Sequence, residues 1–127
     1  MMKRFVLLVS VGMVLVLAAL PAFAATISGT DKGNLLIGTP KADHIRGLAG
    51  QDKIFGKGGP DVIRGNAGKD YLNGGSGDDT LYGGTNGGGP REGDEFACGR
   101  GHDTIYVDKS EHSGHNYGRK CENIITQ

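Results

Sequence analysis

The chain has 127 residues, balances 14 basic against 14 acidic side chains, and contains no tryptophan. That balance excludes recognition driven by phosphate neutralisation, which shows as a basic excess. Glycine occurs 24 times and apolar residues make up only 37% of the chain, which excludes a thick conventional core; small domains so built usually lean on disulfides or metal.

The first 24 residues read as a leader that is removed. Lys3 and Arg4 give a short positive region, Phe5 to Leu20 is apolar apart from Ser10 and Gly12, and Ala22-Phe23-Ala24 supplies a small-residue cleavage site. An uncleaved anchor is the alternative, because the apolar run approaches the lower limit for crossing a bilayer. Cleavage after Ala24 is expected instead, leaving a secreted, extracellular chain with no membrane span and with residues 1–24 outside the fold. Losing Lys3 and Arg4 tips the mature chain slightly acidic.

A nine-residue period follows. Asp43, Asp52, Asp61, Asp70 and Asp79 hold one slot, and Asn34 holds it one step earlier. An apolar residue comes two positions after each (Leu36, Ile45, Ile54, Ile63, Leu72, Leu81), and a glycine four after (Gly38 through Gly83). The glycines permit positive φ, so six residues turn back sharply with several carbonyls facing inward. The next three residues form a minimal strand whose middle side chain points to one side. One such unit cannot bury its single Ile or Leu, so the units must stack.

The unit Gly74-Gly75-Ser76-Gly77-Asp78-Asp79-Thr80-Leu81-Tyr82 fits G-G-x-G-x-D-x-U-x at every fixed position. It resembles the calcium-binding nonapeptide of the RTX (hemolysin-type) proteins, and the likeness is close from 29 to 83. The resemblance implies an all-β fold, a right-handed parallel β-roll with two repeats per turn. It also implies cations between Asp43 and Asp61, Asp52 and Asp70, and Asp61 and Asp79. Calcium suits such sites: it accepts six to eight oxygens at flexible geometry, whereas magnesium demands a tight octahedron and zinc prefers nitrogen and sulfur. The alternative is a metal-free solenoid whose aspartates cap turns. The first two units carry Lys32 and Lys41 where later ones have glycine, and read as an opening cap with weak or absent sites.

The phase breaks after Gly83. A Gly-rich loop is expected over 84–92, and Asp94-Glu95-Phe96 resumes the pattern six residues late, followed at nine by Asp103-Thr104-Ile105. Residues 93–127 therefore read as further coil closed by a cap, with Asp94 and Asp103 joining the expected metal ligands. Cys98 and Cys121 are expected to form a disulfide in an oxidising compartment, two free thiols being the alternative. The tail Asp94, Cys98-Gly99-Arg100-Gly101-His102-Asp103-Thr104, Asp108, Cys121-Glu122 resembles tails that follow such repeats in exported actinobacterial proteins. His102, His112 and His115 raise a zinc reading: His112-Ser113-Gly114-His115 has ligand-like spacing, but no third ligand is placed beside that pair, and structural zinc wants four.

No H-E-x-x-H, G-x-S-x-G or G-x-x-x-x-G-K-[ST] occurs, and the leader runs straight into the repeats, so a non-enzymatic module is expected. The outward positions divide between two faces. Leu35, Ile37, Lys53, Phe55, Tyr71 and Asn73 share one; His44, Arg46, Val62, Arg64, Thr80 and Tyr82 share the other. Arg46 and Arg64 fall in one column, where like charges repel unless an anion intervenes. The functional expectation is an exported calcium-binding protein that folds on its ions. The alternative is an adhesion module whose calcium-rigidified surface binds a glycan or a surface protein.

Overall fold

The structure, a computed structural model, describes residues 6–8, 15–16, 24–85, 93–107, 116–118 and 120–127. Two sheets run the length of the molecule. The first joins β1 (Val6–Leu8), β3 (Thr26–Ser28), β5 (His44–Ala49), β7 (Val62–Ala67), β9 (Thr80–Thr85), β11 (Thr104–Val107) and β13 (Asn123–Thr126) in that order. The second joins β2 (Leu15–Val16), β4 (Leu35–Ile37), β6 (Lys53–Phe55), β8 (Tyr71–Ser76), β10 (Glu95–Arg100) and β12 (Asn116–Tyr117). Successive strands alternate between sheets and neighbours pair in parallel, so each turn of the coil takes two nonapeptides. The molecule is an all-β roll with no helix among the described residues.

Through the repeats the core is one apolar residue wide on each side, widening at the last turn where Cys98 and Val107 join it. Ile27, Ile45, Ile63, Leu81 and Ile105 stack from the first sheet, and Leu36, Ile54, Leu72 and Phe96 from the second, all buried. Each contributes roughly 1.5–3 kcal/mol only because its neighbours cover it. Ile124 continues the first column, yet it is 44% exposed because β13 is the last strand of its sheet.

In the full-length chain, before any cleavage, two leader segments lie against the first turn: β1 pairs with β3 and β2 with β4. The terminal strands of a solenoid present unpaired N–H and C=O groups, and these short apolar segments complete them. One expectation is corrected: within the repeats the minimal three-residue strand holds for β3, β4 and β6, whereas β5, β7, β8 and β9 run on for six residues through the first glycine slot, with Leu48 opposite Asn66 and Ala49 opposite Ala67.

The second glycine slot of the unit is left-handed wherever it holds glycine, as at Gly75 (φ 95°) and Gly84 (φ 105°). Leu48 at φ 83° and Lys57 at φ 79° occupy that slot with side chains, a conformation costing roughly 1–2 kcal/mol per residue. Leu48 is 40% exposed, so little burial is at stake. After allowing for the extra chain entropy of glycine, Leu48→Gly is expected to stabilise the fold by about 0.5–1 kcal/mol. A guanidinium midpoint that falls instead would show that the leucine side chain holds the turn.

Candidate metal centre

Alternate units place their aspartates in two stacked files. Asp43, Asp61, Asp79 and Asp103 precede strands of the first sheet; Asn34, Asp52, Asp70 and Asp94 precede strands of the second. Because aspartate and core residue are two apart, both side chains point inward, and every one of these aspartates is essentially buried. Within a file, each aspartate's backbone N–H donates to Oδ1 of the next. Asp43 donates to Asp61 at 2.8 Å, Asp61 to Asp79 at 2.9 Å and Asp79 to Asp103 at 2.9 Å. In the other file Asn34 donates to Asp52, Asp52 to Asp70, and Asp70 to Asp94. Asp94 and Asp103 thus re-enter both files despite the longer sequence spacing before them.

The second oxygen of the carboxylates is what singles these files out. Oδ2 of Asp52, Asp61, Asp70, Asp79 and Asp103 is buried with no hydrogen-bond partner. A buried charged group left in that state is costly, and proteins avoid it unless something else fills the role. Backbone carbonyls crowd the same space. Asp61 Oδ2 and the Gly74 carbonyl oxygen both border the point a Cβ on Gly56 would occupy; Asp52 Oδ2 and the Gly65 carbonyl oxygen do so at Gly47. Acceptor oxygens gathered without a donor fit a hard cation. Among the described residues no three Asp, Glu, His or Cys side chains gather at one point. A cation would therefore draw on backbone carbonyls beside one or two carboxylates, a donor set suited to calcium.

The electrostatics agree. Burial pushes the Asp61 carboxyl up to about 8, offset by the Asp43 N–H bond and reinforced by the charges of Asp79 and Asp43. Burial likewise raises Asp70 to about 7 and Asp52 and Asp79 to about 6, and pushes Asp103 upward. Desolvation and stacked like charges both disfavour ionisation. A divalent cation between neighbours would reverse the effect.

The first two units differ in a way the lysine substitutions only partly signalled. Asp43 Oδ2 accepts from Thr39 N–H at 2.5 Å, Oδ1 accepts from Ala25 N–H at 2.7 Å, and the Thr39 hydroxyl reaches both. Asn34 Oδ1 likewise accepts from Thr30 N–H at 2.7 Å. Both oxygens of Asp43 are therefore engaged without a cation. The readable signal was a threonine four residues before the acidic slot, in Thr39-Pro40-Lys41-Ala42-Asp43, a hydroxyl-closed turn.

At the other end, Cys98 and Cys121 form a disulfide that ties β10 to the segment before β13. Beside it His102 Nδ1 and Glu122 Oε2 lie 2.6 Å apart, which raises the imidazole's pKa, and the Asp78 carboxylate accepts from the His102 backbone N–H at 2.9 Å. His102 is thus engaged by carboxylates. His112, His115, Asp108 and the loop over 86–92 lie outside the described residues.

No curated protein and no solved structure matches the chain. A family model does, the RTX calcium-binding nonapeptide repeat, in 4 copies over residues 28–63 and 55–86. Such repeats bind several calcium ions, and the two files of inward aspartates run through the matched segment. Residues 28–86 of this chain thus carry RTX calcium-binding nonapeptide repeats.

Proposed function

We propose that the chain is an exported, non-enzymatic calcium-binding protein. Its ions would lie between Asp52 and Asp70 and between Asp61 and Asp79, with Asp94 and Asp103 extending the files and Asp43 closing one of them. The observation that carries this reading is the row of buried carboxylate oxygens without hydrogen-bond partners. Calcium supplies charge neutralisation and cross-linking of adjacent turns. The chain's own residues supply the rest: glycines keep Cβ atoms out of the space beside Oδ2, and the N–H bonds to Oδ1 fix each carboxylate's orientation. Export is supported by the leader-like sequence and by a disulfide of the kind that persists in oxidising compartments. No helix of the described residues is long and apolar enough to cross a membrane.

Titration calorimetry of the chain beginning at Ala25 tests the ligand assignment. Several calcium ions are expected to bind, with magnesium failing to compete at equal concentration. Asp61→Asn is expected to lower the stoichiometry. An unchanged stoichiometry in Asp61→Asn, Asp70→Asn and Asp79→Asn together would refute the assignment. For export, the protein recovered from medium should begin at Ala25.

A further inference from the structure

The outer face of the first sheet carries a column that calcium does not explain. Ser28, Arg46, Arg64, Tyr82 and Tyr106 are in register on β3, β5, β7, β9 and β11. Tyr82 and Tyr106 stack with centroids 4.6 Å apart and planes within 10°. The Arg64 guanidinium lies 4.6 Å over the Tyr82 ring. Arg64 is thus held upright by a ladder of rings, with Arg46 beside it one strand spacing away, about 4.8 Å. Among the described residues neither guanidinium is ion-paired with a carboxylate. The next outward column, His44, Val62, Thr80 and Thr104, adds hydroxyls and no acid.

Like charges directly opposite on a sheet are destabilising, and preorganised guanidiniums recognise carboxylate and sulfate. We infer that this face binds an extended acidic polysaccharide, with Arg46 and Arg64 on its anionic groups and the edges and hydroxyls of Tyr82 and Tyr106 along the sugars. The ring faces of Tyr82 are already covered by Arg64 and Tyr106, so contact falls on its edge and hydroxyl. Strand spacing sets the pitch at which the face repeats, which suits a linear polymer. Two arginines are too few for a nucleic acid backbone, whose binding rests on many phosphate contacts. The inference rests on the calcium-folded roll, because β5 and β7 hold Arg46 and Arg64 in register only when the coil is formed.

The test uses the chain from Ala25 in millimolar calcium, with circular dichroism confirming the fold of each variant. Binding to fluorescent chondroitin sulfate and hyaluronan is measured at physiological ionic strength, with dextran and duplex DNA as controls. Binding to at least one acidic polysaccharide is expected, weakened at least about tenfold in Arg46→Gln/Arg64→Gln and unchanged in Lys53→Gln on the opposite sheet. No binding by folded protein, equal binding by the double variant, or equal binding to dextran or DNA would overturn the proposal. A chain that shows no β structure in calcium overturns it together with the calcium-folding reading, and the dichroism separates that outcome from the others.

Discussion

Removing calcium at pH 7.5 is expected to dissolve most of the β structure of the chain from Ala25, and millimolar calcium to restore it. The files stack buried carboxylates at about the strand spacing of 4.8 Å. Two ionised neighbours at that spacing repel by roughly 3 kcal/mol at an effective dielectric near 20. Glycine-rich turns add a large ordering cost, and a core one residue wide through the repeats returns little against it. Calcium changes the sum twice, by cancelling the repulsion and by mass action. For an extracellular-type site with a dissociation constant of about 0.1 mM, 1 mM calcium adds about 1.4 kcal/mol per ion. Several such ions approach the whole stability of a small domain. Far-ultraviolet circular dichroism with and without chelator reads the transition, and limited proteolysis reads the same change locally. With the Cys98–Cys121 bridge intact, the metal-free chain should keep its C-terminal segment tethered and refold faster than a reduced sample. Identical spectra with and without chelator would sink the coupling.

Much of this was legible in the sequence because the repeat is strict. The offset of two between aspartate and Ile or Leu places both side chains inward, and Ile45, Ile63 and Leu81 stack as that offset demands. The re-phased Asp94 and Asp103 were readable for the same reason: the slot and the apolar residue recur together, whatever intervenes. The outward register of Arg46 and Arg64 followed from the period. Less accessible was everything that depends on which partner an atom finds. Thr39 satisfies the Asp43 carboxylate through a local turn, so an aspartate in the right slot has no oxygen left over. Tyr82 holds Arg64 by its ring, where the period alone predicted neighbouring arginines that repel unless an anion intervenes. The pairing of β1 and β2 with the first turn was illegible for a different reason. A leader's apolar run carries no nine-residue mark, yet it has the one property a bare sheet edge requires.

Protons are expected to substitute for calcium. Without metal, the folded-state pKa values of Asp52, Asp61, Asp70 and Asp79 lie at about 6 to 8, against an ordinary value of 3.8. A carboxyl raised on folding binds its proton more tightly in the folded state. Its contribution is therefore fully present below about pH 4 and is lost as pH rises through 6 to 8. The metal-free chain should accordingly be disordered at pH 8 and recover β structure near pH 5, the opposite of ordinary acid denaturation. Calcium needs the ionised form, so its stabilising effect should be large at pH 8 and nearly absent at pH 5. Melting curves at the two pH values, each with and without calcium, give four midpoints that test both signs. Asn supplies the protonated shape permanently, and Asn34 already occupies the slot in the first unit. Asp61→Asn with Asp70→Asn should therefore stabilise the metal-free chain at pH 8 while reducing its gain from calcium. A double variant less stable than the parent in chelator at pH 8 would mean that charge repulsion along the files is not what keeps the metal-free chain unfolded.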